Sequence, residues 1–228
     1  MKELKNHKWG DRVVVYEGSE IDESVTIGPF SVIYPNVKIG ANTKISAQCV
    51  IGKEAVIGRN QLKIKSDENL TEIGEGVFVG DQSIIYAGTK VKNFCYLADK
   101  CLLRENVTLE KDVVIGTAVI VSFNAHVGAR TKIMSGSNIG GNMTIGEEVF
   151  IGVQVVSFND RNPRKYAPRE EQVSAGVGNG VIIGSNSTIM PGIGIADNSR
   201  VGAGSVVIKD LGIEGGFYFG NPAKLKSK

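Results

Sequence analysis

The sequence predicts an all-β fold, a parallel β-helix of hexapeptide repeats with about ten coils, and three columns of residues carry that prediction. Stepping by six from Val15 to Ile57 meets Ile or Val every time; the step resumes at Ile73, runs unbroken to Ile151, and returns from Val177 to Ile213. Glycine directly follows the aliphatic residue at positions such as 28, 40, 74, 116, 128, 146 and 184, which accounts for about half of the 29 glycines. Four residues after the aliphatic the side chain is small or β-branched, as at Ser31, Thr43, Ala55, Ser83, Thr131, Ser187 and Ser205. A period of six fits neither the 3.6 of an α-helix nor the plain alternation of a flat strand. It fits one short strand plus a corner per hexad, three hexads to a coil, with the aliphatics stacked in internal ladders. The glycines are expected to relieve the backbone bend at the corners.

In chain order, residues 1–14 read as a cap, 15–213 as the β-helix and 214–228 as a C-terminal tail. The phase breaks twice, so polar loops are expected to leave the stack near 58–72, in RNQLKIKSDENLTE, and near 157–176, in SFNDRNPRKYAPREEQ. The second loop holds four basic and three acidic residues and has no large net charge. Long loops on a rigid scaffold more often carry function than the scaffold does. Residues just before each aliphatic should point outward. Read at a spacing of eighteen, the row Lys90, Thr108, His126, Thr144 is polar. The rows Tyr96, Val114, Lys132, Phe150 and Leu102, Ile120, Asn138, Val156 are largely apolar and call for a partner surface, hence a symmetric oligomer.

Composition narrows the function classes. A net charge of +2 argues against a nucleic-acid binder, whose basic face would dominate the count. No stretch approaches the roughly 18 apolar residues that span a bilayer. The N-terminus MKELKNHKWGDR lacks the apolar run of a signal peptide, so a cytoplasmic location without membrane attachment is expected. Cys49, Cys95 and Cys101 fall in the small inward column and read as buried thiols rather than ligands or disulfides. Two histidines, one of them outside the repeat, do not make a zinc site of three histidine ligands, and no metal is expected.

The run VIIGSNSTIMPGIGIADNSRVGAGSVVIKD, followed by FGNPAKLK, resembles the C-terminal part of hexapeptide acyltransferases. The segment VFIGVQVVSFNDRNPRK is similar to the matching stretch of nucleotide-linked amino-sugar N-acyltransferases within that family. The resemblance implies a left-handed helix, an exception to the usual crossover hand, and a homotrimer. It also implies a coenzyme A-dependent N-acyltransferase that transfers acetyl to the amine of a nucleotide-linked amino sugar for surface polysaccharide synthesis. No N-terminal Rossmann unit is read before the repeat, so the bifunctional uridylyltransferase type and the small sialic-acid type with an added nucleotide-binding domain are expected less than a single-domain enzyme. O-acylation, an acyl carrier protein donor, and a non-catalytic hexapeptide scaffold are the alternatives.

Acyl transfer to an amine needs a base, an oxyanion site and release of a thiolate. A neutral imidazole is the usual base, its ordinary pKa lying near operating pH. His7 precedes the repeat beside Trp9 and reads as an exposed terminal residue; His126 is the histidine of the β-helix body, with Asn124 as a neighbour that could orient it. The resemblance departs here. Several family members place the catalytic histidine where this chain has Phe123, and amino-sugar enzymes sharing the FND loop place a polar residue at the position of His126. His126 is thus either a base in a shifted place or a hydrogen-bond partner of the sugar amine, the departing thiolate then taking the proton. For acetyl-coenzyme A, Gly202, Ala203, Gly204 and Ser205 offer backbone and small side chains to the pantetheine arm, while Lys209, Lys224 and Lys226 offer positive charge to its phosphates. For the sugar nucleotide, Asn159, Asp160, Arg161 and Arg164 of the second loop are the first candidates and Arg104 with Glu105 the second.

Overall fold

The computed structural model describes residues 9–56, 70–161 and 173–227. Among the described residues, thirty short strands, from β1 (Val14–Val15) to β30 (Lys224–Ser227), fall into three sheets of ten, nine and eleven strands. Successive strands visit the three sheets in turn, so the chain winds as a three-sided parallel solenoid of about ten coils, consistent with the left-handed β-helix that the resemblance implies. Every strand pair is parallel except β29 (Phe217–Phe219) with β30, which is antiparallel and closes the C-terminal end. The register repeats at eighteen: Ile85 pairs Leu103, Leu103 pairs Val121 and Val121 pairs Ile139. The pairing steps over both expected loops, since Ile51 pairs Ile85 and Ile151 pairs Ile183. Most residues of the loops lie outside the described residues.

The inward ladders are the core. Ile33, Ile51, Ile85, Leu97, Leu103, Leu109, Ile115, Ile133, Ile139 and Ile145 are all buried. Each such side chain contributes about 1.5–3 kcal/mol by leaving water. Stacked coils satisfy their main-chain groups against the coils on either side, so stability accumulates from neighbour to neighbour.

The small column has a second duty. Thr131 Oγ1 donates to the Gly146 carbonyl at 2.8 Å and accepts the Val149 N–H at 3.1 Å. Ser137 makes the same pair of bonds with Gly152 and Val155. The cysteines join in: the thiols of Cys49, Cys95 and Cys101 point at the carbonyls of Gly80, Glu110 and Gly116. Small polar side chains here tie the corners together inside the prism, where a buried orphan group would cost free energy.

The glycine column has a different cause from the one its position suggests. Gly52 apart, left-handed backbone sits elsewhere, at corner residues such as Asn106, Asn124 and Asn142, with φ of 58°, 54° and 59°. Asparagine tolerates that conformation. The glycine after the aliphatic is needed because the next coil is too close. A Cβ on Gly116 would stand 2.5 Å from the Ser135 nitrogen, and one on Gly128 2.5 Å from the Gly146 carbonyl carbon.

The hydrogen bonding of the solenoid reaches beyond residues 15–213. Trp9 bridges to Ile27, and Gly10 N–H bonds the Ile27 carbonyl at 2.7 Å. At the other end, β29 pairs in parallel with β27 (Arg200–Val201), so residues after 213 continue the third sheet.

Candidate functional site

One corner of the prism, between the ten-stranded and nine-stranded sheets, gathers most of the chemistry. His126 opens β17 (His126–Val127) in the nine-stranded sheet, directly after that corner. It stands in register between Thr108 of β14 (Thr108–Leu109) and Thr144 of β20 (Thr144–Ile145), which reproduces the polar outer row. Its main chain is fixed by a 2.8 Å bond to the Met143 carbonyl, and its half-buried imidazole makes no hydrogen bond among the described residues. A pinned strand therefore presents an imidazole with no hydrogen-bond partner among the described residues.

Both loops leave from this same corner. The first departs after β7 (Val50–Lys53) and returns at β8 (Thr71–Ile73). The second departs after β22 (Val156–Ser157) and returns at β23 (Gly176–Val177). In each case the chain passes from the ten-stranded to the nine-stranded sheet. His126 lies on the edge between the two departures. Loops on a rigid scaffold more often carry function than the scaffold does.

The corner is more enclosed than the others. Its turn residues Glu105 and Phe123 are only 4% and 8% exposed, whereas Asp99 and Thr117 at another corner are exposed. Phe123 lies flat over Gly141, where a Cβ would meet the ring at 2.5 Å. Phe123 thus fills the place where the family resemblance would put a histidine, and the imidazole of this corner is three residues further on.

Glu105 is held by its neighbour Arg104 through two bonds, Nε to Oε2 at 2.7 Å and an Nη to Oε1 at 3.0 Å. The guanidinium also lies 4.9 Å from the centre of the Tyr86 ring. Stacking and pairing together fix its plane. Tyr86 went unnoticed in the sequence, although its distance of eighteen from Arg104 is the signal that would have found it.

Asn124 makes no hydrogen bond to His126 among the described residues. Its Nδ2 donates to Asn142 at 2.9 Å and its Oδ1 accepts from Asn106 at 3.1 Å, so it is the middle rung of an asparagine ladder along the corner. Asn159 and Asp160 stand half-buried at the root of the second loop. Arg161 bends back onto the next coil, with Nε bonding the Pro191 carbonyl at 3.0 Å and an Nη the Gly192 carbonyl at 3.2 Å. Arg164 and His7 lie outside the described residues.

The expected donor residues do not form one cluster. Ala203 and Gly204 are exposed at the corner before β28 (Val206–Val207), and nothing stands within 4 Å of the place a Cβ would take on Gly204. Gly202 is pressed against Phe219, whose ring would be 2.5 Å from an added Cβ. Ser205 is buried, its hydroxyl donating to the Gly202 carbonyl at 2.6 Å and accepting the Gly220 N–H at 3.1 Å. Lys209 is exposed at the other end of β28, on the His126 corner, and Lys224 opens β30 beside the third sheet. Among the described residues no three His, Cys, Asp or Glu side chains group as a metal set, and no helix is long and apolar enough to cross a membrane.

Comparison with known proteins agrees with this architecture. Residues 18–53 match the family model "Bacterial transferase hexapeptide (six repeats)" and residues 175–209 match "Hexapeptide repeat of succinyl-transferase". The chain is 30% identical over 145 residues to the bifunctional protein GlmU of Streptococcus pyogenes serotype M18, covering 62% of this chain and 28% of that protein. It is 29% identical over 158 residues to GlmU of Anaplasma marginale (strain Florida), covering 62% of this chain and 35% of the relative. The chain thus spans about a third or less of the length of these relatives. Among solved structures, the UDP-N-acetylglucosamine O-acyltransferase LpxA of Moraxella catarrhalis superposes with a TM-score of 0.53 at 16% identity, covering 96% of this chain and 74% of that one. At that identity the likeness is one of fold.

Proposed function

Since this chain belongs to the hexapeptide-repeat family, we propose that it is an acyltransferase, moving acetyl from coenzyme A to the amine of a nucleotide-linked amino sugar. The observation that carries the proposal is His126, an imidazole with no internal hydrogen bond, on the corner from which both long loops depart.

In this mechanism the amine attacks the thioester carbonyl, the C–N bond forms, and the carbonyl electrons move onto oxygen. His126 takes the amine proton as the bond forms, then returns it to the thiolate as the C–S bond breaks. The alternative role for His126 is to hold the amine by a hydrogen bond while the leaving thiolate itself takes the proton; Asn124 then serves by keeping the corner rigid beside it. Arg104 and Glu105, one strand step before His126, and Asn159 and Asp160, beyond it, face the sugar from two sides. Arg161 anchors the root of the second loop, and Arg164 is a further candidate for the sugar nucleotide. Ala203, Gly202 and Ser205 shape the corner along which the pantetheine arm lies, with Lys209 and Lys224 drawing its phosphates. No metal is required.

The acceptor atom distinguishes a second reading. The LpxA to which the fold is similar is a UDP-N-acetylglucosamine O-acyltransferase, so a sugar hydroxyl is the rival acceptor; an acyl carrier protein is the rival donor. Mass spectrometry of the product, treated with hydroxylamine to cleave esters but not amides, separates the two: the proposal expects a resistant product.

The working unit in this proposal is a homotrimer. The outer face of the ten-stranded sheet is a nearly continuous aliphatic strip of Val14, Val32, Val50, Ile84, Leu102 and Ile120. On the eleven-stranded sheet Tyr96 and Phe150 stand 47% and 40% exposed. Surfaces of that character favour contact with copies of the same chain. A scaffold without catalysis would share the strip, and is distinguished by the absence of any thiol release.

A further inference from the structure

We propose that a slot beside Gly52, on the His126 corner, receives a planar nucleobase, so that the acceptor lies along this edge with its base three coils before the histidine. The inference rests on the nucleotide-linked acceptor proposed above and adds where and how the base is held.

The argument begins with a column of outward residues just before the corner. Tyr16 and Tyr34 are adjacent in it, and their rings pack with centroids 5.4 Å apart and a 34° tilt. The next position is Gly52, whose φ is +79°, a conformation other residues rarely adopt. Its neighbour strand shows why: β10 (Ile84–Tyr86) pairs Ile85 with Ile51 but Tyr86 with Lys53, so Gly52 is the extra residue of a β-bulge. Bulges of this kind re-aim side chains and recur beside ligand sites. The buried Thr71 hydroxyl, 3.7 Å from where a Gly52 Cβ would be, has no hydrogen-bond partner among the described residues.

The result is an aromatic stack that stops. Tyr16 covers one side of Tyr34, the next place in the column is Gly52, and Lys53 takes the register place beside Tyr86. A cavity of about 510 Å³ opens here, lined by Tyr16, Tyr34, Asn36, Gly52, Lys53 and Glu54. A flat ring fits this cavity by packing on the tyrosines that line it. Asn36 and Glu54 offer hydrogen-bonding groups to its edge, and Lys53 offers positive charge to a phosphate beyond it. The next fixed guanidinium on the same edge is Arg104. From β7 to the strand before His126, β16 (Ile120–Val121), the sheet order takes three steps, about 14 Å at roughly 4.8 Å each. An extended nucleoside diphosphate bridges a length of that order.

The test is binding without chemistry. UDP, CDP, dTDP and GDP, with inorganic pyrophosphate as the ring-free control, are titrated calorimetrically into the whole protein and into Tyr34→Ala and Tyr34→Phe. The expected result is that at least one nucleotide binds the wild type and Tyr34→Phe. Tyr34→Ala should weaken it roughly five- to a hundredfold, the range one base–aromatic stack supplies, with pyrophosphate unchanged. Tyr34→Leu, which keeps bulk against Tyr16, decides the matter if the alanine variant does not fold. Failure of all four nucleotides to bind the wild type, or equal binding in the folded Tyr34→Ala or Tyr34→Leu variant, overturns the slot. Because no acyl donor is present, absence of acyl transfer in a separate assay would refute the enzymatic proposal and leave this result standing.

Discussion

Arg104 and Glu105, neighbours in the chain, close a two-pronged ion pair of 2.7 and 3.0 Å at the corner beside His126, with the carboxylate buried and the guanidinium stacked on Tyr86. A pair so placed holds the arginine in one plane facing the ligand edge. Glu105→Gln keeps the shape and removes the charge. The expected outcome is a KM for the sugar nucleotide raised about tenfold, equivalent to about 1.4 kcal/mol, with kcat little changed. Steady-state kinetics at saturating acetyl-coenzyme A checks it.

Thr131 shows what the inward small column does. Thr131→Val is nearly isosteric, yet it leaves the Val149 N–H and one acceptor at Gly146 without their partner. Leaving a buried group unpaired costs about 1–3 kcal/mol. Urea unfolding should show a loss of that size, while Thr131→Ser stays near wild type.

The three thiols provide a pH test. Burial is the main cause that pushes Cys49 and Cys95 from 9.0 up to about 11, and Cys101 to about 12. The folded state therefore favours the neutral thiol. The stabilisation is fully present below pH 9, and is lost as the pH rises through 11 to 12. Replacing all three by serine, which the column accepts elsewhere, should remove this part of the alkaline loss in unfolding measured between pH 8 and pH 11. At pH 8 the native wild type should also resist a thiol reagent that labels the unfolded chain rapidly.

The aliphatic strip on the ten-stranded sheet predicts the behaviour of surface charge. Ile120→Glu places a carboxylate in the proposed subunit contact while its neighbour Val121 stays in the core. Sedimentation velocity should show a trimer for the wild type and a smaller species for the variant, with the β-rich circular dichroism spectrum retained.

The fold was legible because its period is written in residue types. Each of Ile85, Leu103, Val121 and Ile139 is both a sixth-position aliphatic and a register partner eighteen away. The glycines were placed correctly for a reason that only coordinates expose: Gly116 and Gly128 are forced by the approach of the next coil, a contact between residues distant in sequence. Of the candidate site, the place of His126 in the polar outer row was legible, because residue type and column coincide there. Asn124 and Arg161 have chemistry that looks available in one dimension, yet their polar groups bond to Asn142 and to the carbonyls of Pro191 and Gly192. Ser205 likewise spends its hydroxyl inside the prism. The slot at Gly52 escaped because a bulge is a property of two strands together, and its partner residues in β7 and β10 are separated by a loop.

The central claim, acyl transfer at the His126 corner, is tested most directly by thiol release from acetyl-coenzyme A in the presence of a panel of nucleotide-linked amino sugars, with His126→Asn beside the wild type. The account predicts turnover of at least one amine by the wild type and a loss of roughly a hundred- to ten-thousandfold in kcat in the variant, the contribution of a positioned base. Release no faster than the uncatalysed background with every acceptor, from protein that is folded and assembled, would contradict it.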